Sequence, residues 1–134
     1  MKISTKGRYA LRIMIYLARH DTGEHISLKE ISESEDISIK YLENIISKLY
    51  KNGLVVSLRG ACGGYRLAKS ASQYTAGEII RAAEGSIAPI ACLEDEINLC
   101  PRNKECATIK FWEGLYGAMN DYIDNFSLEK FIEQ

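Results

Sequence analysis

The stretch SLKEISESEDISIKYLENIISKLYKNG, residues 27–53, decides the fold because it holds two helix starts close together. Ser27 stands three residues before a glutamate, which is the capping-box pattern, and predicts a short helix over 28–34. Ser38 can cap a second helix over 39–52. Two helices joined by so short a connection are typical of a helix-turn-helix.

The second helix is amphipathic and is followed by a hairpin. Its apolar residues recur at spacings of three and four, and they are Leu42, Ile45, Ile46 and Leu49. Gly53 is suited to the position just after a helix. The β-rich run 54–58, the glycine-rich turn 59–64 and the run 65–68 predict two paired strands. A hairpin directly after such a helix is the wing of a winged helix.

Helical patterns also flank this unit. Residues 9–18 have apolar side chains at helical spacing, and Thr5 is the expected N-cap of that helix. Thr75 opens a second capping box, which predicts a helix through about Ala83.

A long helix is expected near the end of the sequence, from about Ala107 to Asn125. Its heptad-like seam, with spacings of 3, 4, 3 and 4, consists of Trp112, Leu115, Met119, Tyr122 and Phe126. At 1.5 Å per residue the helix would be about 28 Å long. We expect it to pair with the same helix of a second copy, and the alternative is packing against its own domain. The predicted fold class is mainly α with a small β wing.

The formal net charge of −1 conceals an uneven distribution over the 134 residues. Residues 1–70 contain 12 Lys and Arg against 7 Asp and Glu, a net of +5. Residues 71–134 contain 5 against 11, a net of −6. This asymmetry favours a basic working surface in the first half and is compatible with a polyanionic partner.

Several protein classes are disfavoured by the sequence. No apolar run approaches the length of a membrane-spanning helix, and the first eight residues contain no apolar signal core. A cytoplasmic location is therefore expected. The common nucleotide-loop, metalloprotease and serine-hydrolase motifs are absent, so no enzyme activity is predicted.

Three cysteines, Cys92, Cys100 and Cys106, fall within 15 residues of one another. A cytoplasmic protein seldom contains structural disulfides, so three thiols in one irregular segment indicate metal, cluster or redox chemistry. Their spacing disfavours a zinc ribbon and suits an iron–sulfur cluster, with buried inert thiols as the alternative. The acidic run 94–96 is expected to disfavour the thiolate form. Cys62, alone in the wing, is interpreted as a small apolar residue.

The sequence resembles the Rrf family of bacterial winged-helix regulators, whose branches are typified by IscR, NsrR and CymR. The resemblance covers nearly the whole chain. It is carried by the N-terminal MKISTKGRYA, by ISIKYLE at 37–43, by NGLV at 52–55, by the wing pattern RGxxGGYxLA at 59–68 and by TAGEII at 75–80.

This resemblance implies a homodimeric transcription factor that binds a double-stranded DNA operator with imperfect two-fold symmetry. It also implies that Cys92, Cys100 and Cys106 hold an iron–sulfur cluster, either 2Fe–2S or 4Fe–4S, as in the IscR and NsrR branches. Members similar to CymR generally lack these cysteines. Ile109 stands where IscR-like members have a histidine, and Arg8 lies where NsrR-like members can use an acidic residue. The fourth ligand is therefore unassigned among Cys62, Glu94, Asp95, Glu96, Glu105, Thr108 and a small exogenous molecule.

The expected DNA-contacting residues are concentrated in the predicted second helix and in the wing. At the start of that helix, Asn44 can pair with adenine and Glu43 can accept a hydrogen bond from cytosine. Arg59 in the wing would enter a narrow minor groove. Lys48 and Lys51 are expected nearer to phosphates, as are the side chains at the start of the first helix. The complete candidate set is Lys6, Arg8, Ser38, Lys40, Tyr41, Glu43, Asn44, Lys48 and Arg59.

These expectations divide the chain into three parts. Residues 1–90 form a winged helix-turn-helix DNA-binding domain, 91–106 a cysteine-containing sensor loop, and 107–134 a dimerisation helix with a C-terminal tail. The predicted function is a homodimeric regulator that senses iron–sulfur, redox or nitric oxide status. The alternative is a cluster-free regulator of cysteine or sulfur metabolism that acts through thiol redox chemistry, Zn²⁺ or an unidentified protein partner.

Overall fold

The computed structural model describes residues 2–60 and 63–133. Six helices and one two-stranded sheet are present in these ranges: α1 Thr5–Arg19, α2 Leu28–Glu35, α3 Ile39–Lys51, β1 Val55–Leu58, β2 Gly64–Leu67, α4 Ala76–Glu84, α5 Ile109–Asp124 and α6 Leu128–Ile132. The winged helix-turn-helix expectation is confirmed. Among the described residues, no helix is long and apolar enough to cross a membrane. Cys62 lies outside the described residues, so its interpretation as a small apolar side chain stays a prediction.

Side-chain caps begin both helices of the helix-turn-helix. The Ser27 hydroxyl accepts a hydrogen bond from the Glu30 backbone at 3.1 Å, and the Ser38 hydroxyl accepts one from Tyr41 at 3.3 Å. Between the helices Asp36 adopts a left-handed conformation with φ 54°, which allows the chain to turn sharply. The predicted caps therefore act where the sequence places them.

The wing is an antiparallel hairpin in which Val55 pairs with Leu67 and Leu58 with Gly64. A short third segment joins it, since Ile26 and Tyr65 exchange two backbone hydrogen bonds of 2.8 Å. A Cβ on Gly64 would lie 2.3 Å from the Ile26 carbonyl oxygen. Glycine is required at this position because the two backbones approach so closely.

One apolar core joins the N-terminal helices, the wing and α6. The phenolic oxygen of the fully buried Tyr74 donates a hydrogen bond to the Leu54 carbonyl at 2.6 Å. The same oxygen accepts bonds from the backbone of Ala68 at 2.9 Å and of Lys69 at 3.1 Å. Tyr74 therefore holds the residues just before β1 and just after β2 on the core. Leu128 of α6 is also fully buried in this core.

Three details differ from the sequence-based expectation. The N-cap of α1 is Ser4, whose hydroxyl accepts from the Lys6 backbone at 3.1 Å, so Thr5 is already inside the helix. The helix α5 begins at Ile109, two residues later than expected, since residues 107–108 form a turn. The segment 128–132 forms a helix on α1, since its apolar residues complete the core.

Candidate nucleic-acid interface

The start of α3 faces an open hollow of about 370 Å³ that also includes the start of α1. Its lining consists of Lys6, Ser38, Lys40, Tyr41 and Asn44. The Tyr41 ring packs edge-to-face on Tyr9 with 5.5 Å between centroids, which fixes α3 against α1. Five of the nine candidate residues, drawn from two helices, therefore share one surface.

A second groove of about 300 Å³ separates α3 from the wing. Glu43 on α3 and Arg59 on the wing both line it, so the structure brings these two candidates together. Ser47 and Tyr50 line the same groove and were not predicted. Their positions four and seven residues after Glu43 place all three on one face of α3, a signal that the sequence does contain.

The start of α1 is held by a carboxylate from the end of α4. Glu84 Oε1 accepts hydrogen bonds from the Ser4 backbone at 2.7 Å, the Ser4 hydroxyl at 2.6 Å and the Gly7 backbone at 3.0 Å. A negative charge at a helix N-terminus is stabilising because the helix dipole is positive there. This contact fixes the segment from which Lys6 and the exposed Arg8 project.

Lys48 on α3 lies near Lys6 and contacts the end of α4. Its ammonium group donates to the Ala83 carbonyl at 3.4 Å, at the end of α4. Burial, followed by the nearby Lys6, lowers the pKa of Lys48. The expected phosphate contact of this residue therefore competes with a contact to α4, whereas Lys51 is exposed.

The turn between α2 and α3 is fixed to α1 by an arginine. Arg12 Nη2 and Nε lie 3.0 and 3.3 Å from Glu35 Oε2, and Nη2 also donates to the Glu35 carbonyl. The guanidinium carbon lies 5.1 Å from the centre of the Tyr9 ring. Because Tyr9 also supports Tyr41, one cluster on α1 orients both the turn and α3.

The cysteine segment follows α4 as a largely irregular loop with two short 3₁₀ turns, Ala91–Leu93 and Asn103–Glu105. Burial raises the pKa of the Cys92 thiol, and the neighbouring thiols of Cys100 and, to a lesser extent, Cys106 raise it further. The thiols of Cys100 and Cys106 therefore lie near enough to Cys92 to influence its titration.

The Cys106 thiol differs from the expectation that its acidic surroundings disfavour the thiolate. Its sulfur lies 3.5 Å from the Thr108 hydroxyl, and this contact is the main cause of a lowered pKa. Hydrogen bonds with the backbone of Thr108 and Ile109, and the charge of Arg102, act in the same direction. Together these groups outweigh the desolvation of the thiol, which acts in the opposite direction.

Three thiolates are suitable soft ligands for an iron–sulfur cluster. The chemical type of the candidate ligand atoms therefore suits such a cluster. In residues 2–60 and 63–133, however, no three His, Cys, Asp or Glu side chains are arranged as a metal-binding group. The described part of the chain therefore contains no assembled metal site and indicates no fourth ligand, and the candidate Cys62 lies outside it.

Comparison with known proteins agrees with this architecture. The Rrf2 family model, which describes iron-dependent transcriptional regulators, matches residues 3–134. The regulator CymR of Bacillus subtilis is 44% identical over 129 residues, covering 96% of this chain and 88% of CymR. The regulator IscR of Pectobacterium carotovorum is 37% identical over 132 residues, covering 98% of this chain and 79% of IscR.

The fold of this chain is also similar to solved structures of CymR and IscR. The structure of CymR, the global cysteine regulator of B. subtilis, aligns with a TM-score of 0.75 and 38% identity over 99% of this chain and 97% of CymR. The structure of T. potens IscR aligns with a TM-score of 0.74 and 33% identity over 99% of this chain and 87% of that one. The names of these relatives describe regulators, which confirms the prediction that the chain is not an enzyme. By sequence and by fold, this chain belongs to the Rrf2 family of transcriptional regulators.

Proposed function

We propose that this protein is a homodimeric repressor or activator that inserts α3 into the major groove of an operator with imperfect two-fold symmetry. The observation that carries the proposal is the position of α3, whose exposed face is bordered by Lys6 on one side and by Arg59 on the other. A helix flanked by two cationic segments matches the arrangement of bases and phosphates in a duplex.

Individual roles follow from side-chain chemistry. Asn44 reads adenine through two hydrogen bonds, and Glu43 accepts a hydrogen bond from cytosine N4. Lys40 and Tyr41 lie beside them, while Ser38 supplies the helix cap. Arg59 enters the minor groove, and Lys6 and Arg8 contact phosphates. Lys48, one helical turn after Asn44, contacts a phosphate in competition with its hydrogen bond to Ala83 on α4.

The three parts of the chain have separate tasks in this proposal. Residues 1–90 bind DNA, 91–106 sense a signal, and 107–134 form the dimer. The exposed aromatic rings of Phe111 and Tyr122 on α5, which are 65% and 69% exposed, are suited to cover by the same helix of a second copy. The dimer acts in the cytoplasm, where the bacterial chromosome is located.

The signal is proposed to act through an iron–sulfur cluster held by Cys92, Cys100 and Cys106. The cluster supplies a redox-sensitive centre that reacts with oxygen or nitric oxide. The chain contributes the soft thiolates and the helix start that favours the thiolate form of Cys106. A fourth position without a protein ligand would be open to exchange.

A cluster-free regulator that uses thiol redox chemistry, Zn²⁺ or a protein partner is the second candidate. Two observations favour it: the 44% identity with CymR and the lack of an assembled metal-binding group in the described residues. Purification without oxygen, followed by absorbance spectroscopy and iron and sulfide analysis, separates the candidates. Iron and sulfide that disappear in a Cys92→Ala variant support the cluster, whereas colourless protein that cannot be reconstituted contradicts it.

DNA binding is tested with an operator selected from a randomised 30-base-pair duplex library. We expect Glu43→Ala and Arg59→Ala to weaken binding, measured by fluorescence anisotropy, by about tenfold each, which is within the 1–3 kcal/mol of a specific contact. The matched controls are Glu129→Ala on α6 and Arg19→Ala at the end of α1, both exposed and outside the two grooves. Equal affinities for all four variants would contradict the assigned surface.

A further inference from the structure

The helix α5 is attached to α4 by a clamp of three polar side chains. Arg81 Nη1 lies 2.6 Å from Asp124 Oδ1, and Arg81 Nη2 lies 3.0 Å from Asp124 Oδ2. The second nitrogen also donates to Asn120 Oδ1 at 2.7 Å. A two-pronged arginine–carboxylate contact fixes the relative orientation of its partners as well as their distance.

The two helices touch directly at this clamp. A Cβ on Gly77 would lie only 2.1 Å from Asp124 Oδ1 and 2.8 Å from the Arg81 guanidinium. The missing side chain of Gly77 therefore makes room for the ion pair. Any larger residue would displace the Asp124 and Arg81 side chains from their present positions.

Backbone pairing fixes the same end of α5. The Ala76 backbone donates to the Phe126 carbonyl at 2.8 Å, and the Leu128 backbone donates to the Tyr74 carbonyl at 3.0 Å. Both Tyr74 and Leu128 are fully buried. The C-terminal end of α5 is thus joined to the winged-helix core.

We propose that Arg81 is a positioning residue that sets the distance between the two recognition helices of the dimer, and thereby the spacing of the half-sites that the protein accepts. This inference rests on the proposed function, in which α5 of each copy forms the dimer. The orientation of each α3 relative to the two-fold axis then depends on how rigidly α5 is held on α4.

Geometry makes this attachment sensitive to small changes. The 16 residues of α5 extend over about 24 Å. A tilt of about 10° at one end of such a helix moves the other end by about 4 Å. One base-pair step along DNA is about 3.4 Å. The displacement of α5 that follows loss of the Arg81 contact is therefore comparable to a change of half-site spacing by one base pair.

The experiment compares duplexes that differ only in half-site spacing. The operator selected for the wild-type protein is lengthened or shortened by one base pair at its centre, and a single half-site serves as a reference. We expect the wild-type protein to prefer the original spacing by at least about tenfold, and Arg81→Ala to reduce that preference to less than about threefold. Affinity for the half-site should not change.

Further variants separate positioning from general destabilisation. Asp124→Asn keeps the size of the side chain but removes the charge, so it should relax the spacing preference in the same direction. Arg81→Lys keeps the positive charge but cannot form the two-pronged contact. It should give a spacing preference between those of the wild type and Arg81→Ala. Arg19→Ala, an exposed arginine that forms no salt bridge among the described residues, should behave as wild type. Sedimentation equilibrium verifies that each variant is still a dimer.

The outcomes distinguish this inference from the proposed function. If the wild-type protein selects an operator and both Arg81→Ala and Asp124→Asn keep its spacing preference, the role of Arg81 is wrong while DNA binding stands. If the wild-type protein selects no duplex, the proposed function fails and the inference fails with it.

Discussion

Glu84 Oε1 lies 3.0 Å from the backbone nitrogen of Gly7, where a carboxylate from α4 closes the N-terminus of α1. A Cβ at position 7 would lie 2.6 Å from that oxygen. The end of α4 and the start of α1 therefore meet at a point where an added Cβ would require the Glu84 side chain to move. The same point supports Lys6 and Arg8, which are proposed to contact DNA.

Gly7→Ala should displace the Glu84 carboxylate and remove its bonds to the start of α1. The loss of such a cap costs about 1–2 kcal/mol, and the higher helix propensity of alanine offsets part of it. We expect a net loss of about 1 kcal/mol in the free energy of unfolding, measured with urea. Glu33→Ala on α2, an exposed residue away from the start of α1, should instead change the free energy of unfolding by less than about 0.5 kcal/mol. Equal effects of the two substitutions would contradict this description of α1.

Tyr74→Phe should destabilise the protein without creating a cavity. The hydroxyl group that is removed takes part in three hydrogen bonds, to the carbonyl of Leu54 and to two backbone nitrogens. A buried group left without its partner costs about 1–3 kcal/mol. Tyr50→Phe, which alters a half-exposed ring, is the control and should change the free energy of unfolding by less than about 0.5 kcal/mol. A Tyr74→Phe variant as stable as wild type would show that the hydroxyl does not hold the wing.

The raised pKa of Tyr74 predicts that the protein loses stability at alkaline pH. Burial raises the pKa of Tyr74 above its ordinary value of 10.0. The phenol is therefore neutral in the folded protein at a pH where it already ionises in the unfolded chain. Its contribution to stability is complete below pH 10 and is lost as the pH rises from 10 through the folded-state pKa.

Urea unfolding at a series of pH values between 8 and 11 measures this effect. In Tyr74→Phe the contribution is missing, so the difference in unfolding free energy between wild type and variant should shrink above pH 10. A difference that stays constant across this range would contradict the assignment to Tyr74.

The helix-turn-helix and its wing were predictable because their signals are local. Ser27, Ser38 and Gly53 mark helix ends through contacts with residues only a few positions away. The short helix at 128–132 was missed because its stability comes from burial of Leu128 in a core formed by distant segments. The start of α5 was predicted two residues too early because its N-cap, Thr108, makes no side-chain capping hydrogen bond that would mark the helix start.

The candidate site was predictable only in part, because local signals predict its helix but not the long-range contacts that position it. Asn44 and Glu43 follow from their place at the start of a capped helix. The Glu84–Gly7 hydrogen bond joins residues 77 positions apart, and the Arg81–Asp124 ion pair joins residues 43 positions apart. No local spacing pattern in the sequence predicts contacts over such separations. The contact of Lys48 with Ala83 was not predicted because it depends on how α4 packs, and the phosphate contact of Lys48 stays a prediction.

The most direct test of the central claim compares how wild type and Glu43→Ala respond to base substitutions in the operator. Each base pair of the selected duplex is replaced in turn, and the affinity of both proteins is measured by anisotropy. We predict that Glu43→Ala loses discrimination, worth about 1–3 kcal/mol, at one cytosine in each half-site and keeps it elsewhere. A variant whose penalties match those of the wild type at every position would contradict the claim that α3 reads the operator through Glu43.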